Sequence, residues 1–154
     1  MLDAIRRAAD TCAGMSQENV ELVKRVYSLR ADPLGIARGD YDDVFRTYFD
    51  PEYEVVPPSA YPDVESSYRG ADALRRWFQQ MNEIWDDFRV EAESFLDAGA
   101  QVIVLVRVSG AAKQSGAAFA IPTAHVVTLQ DGRIARTDIF LDRAEALEAA
   151  GLLE

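Results

Sequence analysis

The chain has 154 residues, with 16 Lys and Arg against 26 Asp and Glu and a single His, a formal charge of −10 at pH 7. That length fits one domain, and 49% apolar with 27% charged residues is a globular balance rather than a disordered one. The acidity argues against nucleic acid as a partner, and one Cys (Cys12) and one His (His125) exclude an internal disulfide, a multi-cysteine zinc site and a two-histidine metal centre. No metal and no cofactor is expected. No apolar run nears the roughly 20 residues of a membrane helix, and the start lacks the long apolar stretch of a secretory signal. The expectation is a cytoplasmic protein without a membrane partner.

Residues 1–14 read as an N-terminal extension, with Leu2, Ile5, Ala8, Ala9 and Cys12 on a weak helical face. Met15-Ser16-Gln17-Glu18-Asn19 reads as a second beginning, so 15–154 forms the domain. The extension is then a non-native start or an added helix covering an exposed face. Helix one is predicted over about 16–31, on Val20, Val23 and Tyr27 widened by Leu22, Val26 and Leu29. Asp32-Pro33 ends it, and Leu34–Gly39 reads as a loop. Helix two follows Asp40, with Tyr41, Val44, Phe45, Tyr48 and Phe49 at i, i+3, i+4, i+7 and i+8. Asp50-Pro51 stops it, Tyr53–Val56 is a short strand, and 57–70 is a loop holding Tyr61 and Tyr68.

Helix three carries the heaviest apolar stripe, Leu74, Trp77, Phe78, Met81, Ile84 and Trp85. From Asp87 the period becomes two. Phe88, Val90 and Ala92 alternate with charged residues, and Val102–Val108 is apolar on both faces, so both faces need cover. Phe119, Ile121, Thr123, His125, Val127 and Leu129 mark one face of a long strand. Asp131-Gly132 is a tight hairpin turn leading to a last strand, Ile134–Leu141. Asp142 caps a short final helix over Arg143–Ala150. Helices first and a four-stranded meander after them define an α+β fold.

Four segments carry a resemblance: MSQENVELVKRVY, YRGADALRRWF, AHVVTLQDGRIAR and LDRAEALEAAGL. Together, in this order, they resemble the SnoaL-like branch of the nuclear-transport-factor-2-like superfamily. The resemblance covers about residues 15–152 and implies a cone. In it a strongly curved antiparallel sheet wraps three N-terminal helices around an interior pocket, with a short C-terminal helix. The superfamily includes polyketide cyclases, ketosteroid isomerases, epoxide hydrolases, ligand binders and association modules, so the fold leaves the reaction open.

In the enzymes an inward carboxylate moves a proton and a Tyr, Asp or His stabilises the oxyanion. The acid position on the last strand falls on Ile139, which puts Thr137 and Leu141 inward and Arg136, Asp138 and Phe140 outward. A one-residue bulge would turn Asp138 inward; without one it pairs with Arg136 or Arg107. The isomerase base position is Val56 before Pro57. The hydrolase Tyr and Asn read Tyr53 and Val55, and the hydrolase Arg and Asp read Val106 and Val108. The usual acid positions are therefore apolar.

His125 matches a cavity-facing His of the cyclases, where a neutral imidazole can hydrogen-bond a ligand carbonyl. The catalytic candidates are His125 and Asp138. Tyr27, Tyr48, Tyr53, Trp77, Met81, Thr123, His125, Val127 and Ile139 are the candidate pocket lining, with core packing the alternative for the aromatic residues. The implied ligand is a small oxygenated hydrophobic molecule. Three readings stay open: a binder of such a molecule, an enzyme of the cyclase, isomerase or hydrolase type, and an association module. A homodimer through the outer sheet face is expected, since Ile103 and Leu105 need cover there.

Overall fold

A computed structural model describes residues 17–30, 32–58 and 64–152. The extension 1–14, the second start at Met15 and the loop residue Tyr61 lie outside them. Helix α1 (17–29) buries Val23, Val26 and Tyr27 on one face. Asp32-Pro33 not only ends this helix but starts another, α2 (Pro33–Arg38), where a loop was expected. The Asp32 carboxylate accepts from the Gly35 N–H, Pro33 supplies a fixed φ at the first helical position, and Gly39 closes the helix at φ 87°. Helix α3 (Asp42–Tyr48) runs straight into strand β1 (Phe49–Val56), so β1 starts four residues before the predicted Tyr53. Pro51 is accommodated because pairing of β1 is interrupted between Phe49 and Glu54.

After the two-residue strand β2 (Tyr68–Arg69), helix α4 (Ala73–Ile84) buries Ala73, Leu74, Trp77, Phe78 and Met81. It passes without a loop into strand β3 (Trp85–Ala98), so Trp85 opens the strand instead of closing the helical stripe. The meander continues as β4 (Gln101–Ala112), β5 (Ala118–Gln130) and β6 (Arg133–Phe140). Asp131 and Gly132, at φ 53° and 76°, make the β5–β6 hairpin turn with both central residues left-handed.

The six strands form one sheet in the order β2-β1-β6-β5-β4-β3. Every pairing is antiparallel except β1 with β6, which is parallel, so the sheet is mixed rather than purely antiparallel. Register shifts in β3, at Asp86/Arg89 and Ala92/Ser94, add local bends of the kind that curl a sheet around helices. This is the cone architecture, with four helical segments rather than three before the meander.

The two sheet faces are covered differently. Inward, Val102, Val104, Val106 and Val127 join Tyr53, Phe78 and Met81 in one core under the helices. Outward, Ile103, Ala124 and Val126 are buried with Ala146 of helix α5 (Arg143–Ala149). The cover expected from a second subunit or from residues 1–14 is thus supplied, over this patch, by the chain's own last helix. Arg143 holds that helix down: its guanidinium donates to the carbonyls of Thr123 and Val106 and pairs with Glu93 at the β3 bulge. Among the described residues no helix is long and apolar enough to cross a membrane.

Candidate functional site

The centre of the inner face is His125. It sits on β5 between Val104 of β4 and Ile139 of β6 in the register, and it is 2% exposed. Tyr27 reaches it from α1, with its hydroxyl 2.6 Å from Nδ1. Arg30 leaves the end of the same helix three residues on and places Nη1 3.4 Å from Nδ1. Val23, Val26, Tyr27 and Arg30 continue one stripe of α1 at spacings of three and four, so Arg30 enters the core with its apolar neighbours.

This geometry sets the protonation states. Burial, and next the Arg30 charge, hold the His125 imidazole well below its usual range, so it is neutral at pH 7. Arginine can only donate, so Nδ1 is the acceptor and the ring proton sits on Nε2. Burial pushes the Tyr27 phenol well above its usual range, with the Arg30 charge opposing; Tyr27 stays protonated and donates to Nδ1.

A second buried polar pair lies on the β1–β6 side, where the Tyr53 hydroxyl donates to Thr137 Oγ1 at 2.7 Å. Burial raises the Tyr53 phenol, and the Arg30 charge and a hydrogen bond from Arg30 oppose this. The Tyr53 ring stacks on Phe49 with centroids 4.5 Å apart.

Arg30 is the anomaly of the site. It is 2% exposed, and among the described residues no Asp or Glu forms an ion pair with it. Its guanidinium carbon lies 4.2 Å from the Tyr27 ring centroid and 5.8 Å from that of Phe78. Cation–π contacts of this kind return about 0.5–2 kcal/mol. The effective penalty for burying an ion is several kcal/mol. Among the described residues the Nε–H has no hydrogen-bond partner, and neither has the buried Oγ1 of Thr123, two residues from His125 on the same inward row.

The sequence-derived candidates divide accordingly. His125, Tyr27, Tyr53, Thr123, Val127 and Ile139 are buried, and the strand residues among them face inward. Trp77 and Met81 are buried on α4 in the same core. Tyr48 is not in the interior: it is half-buried at the α1–α3 surface, where Arg25 donates to its hydroxyl at 3.1 Å. Asp138 is also corrected as a partner of His125. Pairing runs without a shift through His125↔Ile139, Val126↔Asp138 and Val127↔Thr137, so no bulge turns Asp138 inward. It lies on the outer face, 2.9 Å from Arg136, which also reaches Glu54 at 3.1 Å. Among the described residues no Asp or Glu is buried. Sequence reasoning missed Arg30. The available signal was its place on the α1 stripe, four residues after Val26.

Several surface clefts flank the cone, one of about 280 Å³ including Tyr53. Another of about 380 Å³ at the ends of β1 and β6 includes Pro57, Pro58, Asp138 and Ile139. Its residue Ile139 is the ladder neighbour of His125, which is itself not among the cleft's residues. A larger cleft of about 660 Å³ lies outside, bordered by Asp32, Leu34, Asn82, Trp85 and Lys113, and touches none of the inner polar residues. Among the described residues no group of three or more His, Cys, Asp or Glu is placed to hold a metal ion.

Helices packed into a curved mixed sheet, with a neutral His and a Tyr at the inner centre, define a cone-fold protein with a polar interior. A family model for the SnoaL-like domain matches residues 32–137, and the chain belongs to that family. Among solved structures it is similar to a putative SnoaL-like polyketide cyclase from Jannaschia sp. CCS1, with 23% identity, a TM-score of 0.64, and 90% of this chain and 94% of that one covered. It is similar to a nuclear-transport-factor-2-like protein from Burkholderia thailandensis E264, at 25% identity and TM-score 0.63 over 88% and 97% of the two chains. It also shares its fold with TerC, co-crystallised with polyporic acid, at 17% identity and TM-score 0.63 over 87% and 98%. No curated protein matches the chain in sequence.

Proposed function

We propose that the protein binds a small oxygenated hydrophobic molecule inside the cone, oriented by the centre that His125, Tyr27 and Arg30 form. The carrying observation is a buried Tyr27–His125 hydrogen bond beside a buried cation, in a mostly apolar core that also holds the Tyr53–Thr137 pair and Thr123. A neutral imidazole with its proton on Nε2 is a donor for a ligand carbonyl. The Jannaschia and TerC relatives share this fold, and the TerC crystals held a small molecule.

The reading is non-catalytic in its simplest form. Every described carboxylate is at least partly exposed, and a His held below its usual range is a weak base at pH 7. A cyclase, isomerase or hydrolase reaction on this site would rest on His125 with Tyr27, and turnover unchanged in His125→Ala would exclude it. The homodimer and the cytoplasmic location belong to the same proposal. Light scattering at micromolar concentration tests the first, and a monomer there removes it.

The test of binding is a thermal-shift screen of polycyclic ketones, lactones, epoxides and fatty acids. A ligand at 100 times its Kd stabilises by about 2.7 kcal/mol, which raises the Tm of a domain this size by roughly 5–10 °C. The expected result is a shift with an oxygenated ring compound that His125→Ala abolishes. No shift with any class overturns the reading.

A further inference from the structure

We infer that the interior site is built for an anion: its ligand carries a carboxylate, and Arg30 is the residue that receives it. This rests on the proposal that the cone interior binds a small molecule, and it names the charge of that molecule.

Arg30 is nearly fully buried, and arginine cannot shed its proton in a protein, so the charge stays in the core whatever the pH. Acidic residues outnumber basic ones by ten in this chain, yet among the described residues none is placed against Arg30. Nη1 rests on a neutral nitrogen at a long 3.4 Å, the hydrogen bond Arg30 gives Tyr53 goes to a neutral phenol, and among the described residues Nε has no acceptor. Thr123 Oγ1 is likewise buried and without a partner, and His125 has its proton on Nε2 because Nδ1 is occupied by Tyr27. The interior therefore holds an excess of donors and a full positive charge. A carboxylate supplies what is missing: a negative charge and two oxygens that match the planar guanidinium fork.

The experiment compares two probes of equal shape, 2-naphthoate and 2-naphthamide, by titration calorimetry of the full chain at pH 7.5. Wild type is expected to prefer the acid by roughly tenfold to a hundredfold, the range of hydrogen bonds to a charged group. Arg30→Met is expected to bind both probes equally and, unliganded, to melt no lower than wild type, because it relieves a buried charge. Arg30→Lys keeps the charge without the fork and is expected to retain a smaller preference for the acid. Equal binding of the two probes by wild type overturns the anion inference and leaves interior binding standing. Binding of neither overturns both. A folded Arg30→Lys without preference, or an Arg30→Met that keeps the wild-type preference, removes Arg30 as the receptor.

Discussion

The inner and outer faces of the sheet treat arginine in opposite ways. Outside, Arg136 lies between Asp138 and Glu54, and Arg143 is pinned to Glu93 and to two strand carbonyls. Inside, Arg30 lies against rings and a neutral imidazole, with no carboxylate of the described residues paired with it. The outer arrangement pairs each charge with a carboxylate, whereas the inner one offers Arg30 only neutral acceptors and, among the described residues, none for Nε.

The largest effect that can break this contrast concerns the cover over the outer face. Ile103 is fully buried beneath α5, so Ile103→Ala is expected to cost about 2–5 kcal/mol, a Tm drop of roughly 5–20 °C in thermal melts. A loss under about 0.5 kcal/mol would mean that α5 does not seal the face and that a second subunit must.

A middle-sized effect tests the inner face. The folded protein keeps His125 neutral while the unfolded chain protonates it below about pH 6.5, so acid favours unfolding. Urea melts between pH 7.5 and 5.5 should show wild type losing up to about 1.4 kcal/mol per pH unit below that point, beyond any loss in His125→Gln. Equal slopes for the two proteins would show that the folded protein accepts a proton on His125 as readily as the unfolded chain, against an imidazole held neutral by burial and by Arg30.

The smallest effect sharpens the outer side. Arg136 is partly exposed, and its pairs with Asp138 and Glu54 are screened by solvent, so Arg136→Ala is expected to change stability by less than about 1 kcal/mol in urea melts. A loss of several kcal/mol would place Asp138 and its neighbours in a role the outer geometry does not explain.

Local pattern made much of this legible from the sequence. The period-two runs located the meander, the Asp131-Gly132 pair located its turn, and counting along β6 placed Thr137 and Ile139 inward and Asp138 outward. Other features depended on partners distant in sequence. Asp32-Pro33 signals a stop and a start equally well, so α2 read as a loop. The parallel contact of β1 with β6 leaves no trace in either strand alone. Arg30 sits at a helix end, where a basic residue ordinarily meets solvent; only the packing of α1 against the sheet turns it inward.

The β1–β6 pairing also sets an order of events during synthesis. Glu54 and Arg136, neighbours in that ladder, are 82 residues apart in the chain. At ribosomal rates of about 5–20 residues per second, β1 waits roughly 4–16 s for the strand beside it to be made. Until then Tyr53 has no Thr137 to bond, and the β1 side of the row that becomes the cone's interior faces water. The polar centre is thus among the last parts of the nascent chain to assemble, and a chain stalled before β6 would offer a chaperone β1 with its future inner row uncovered.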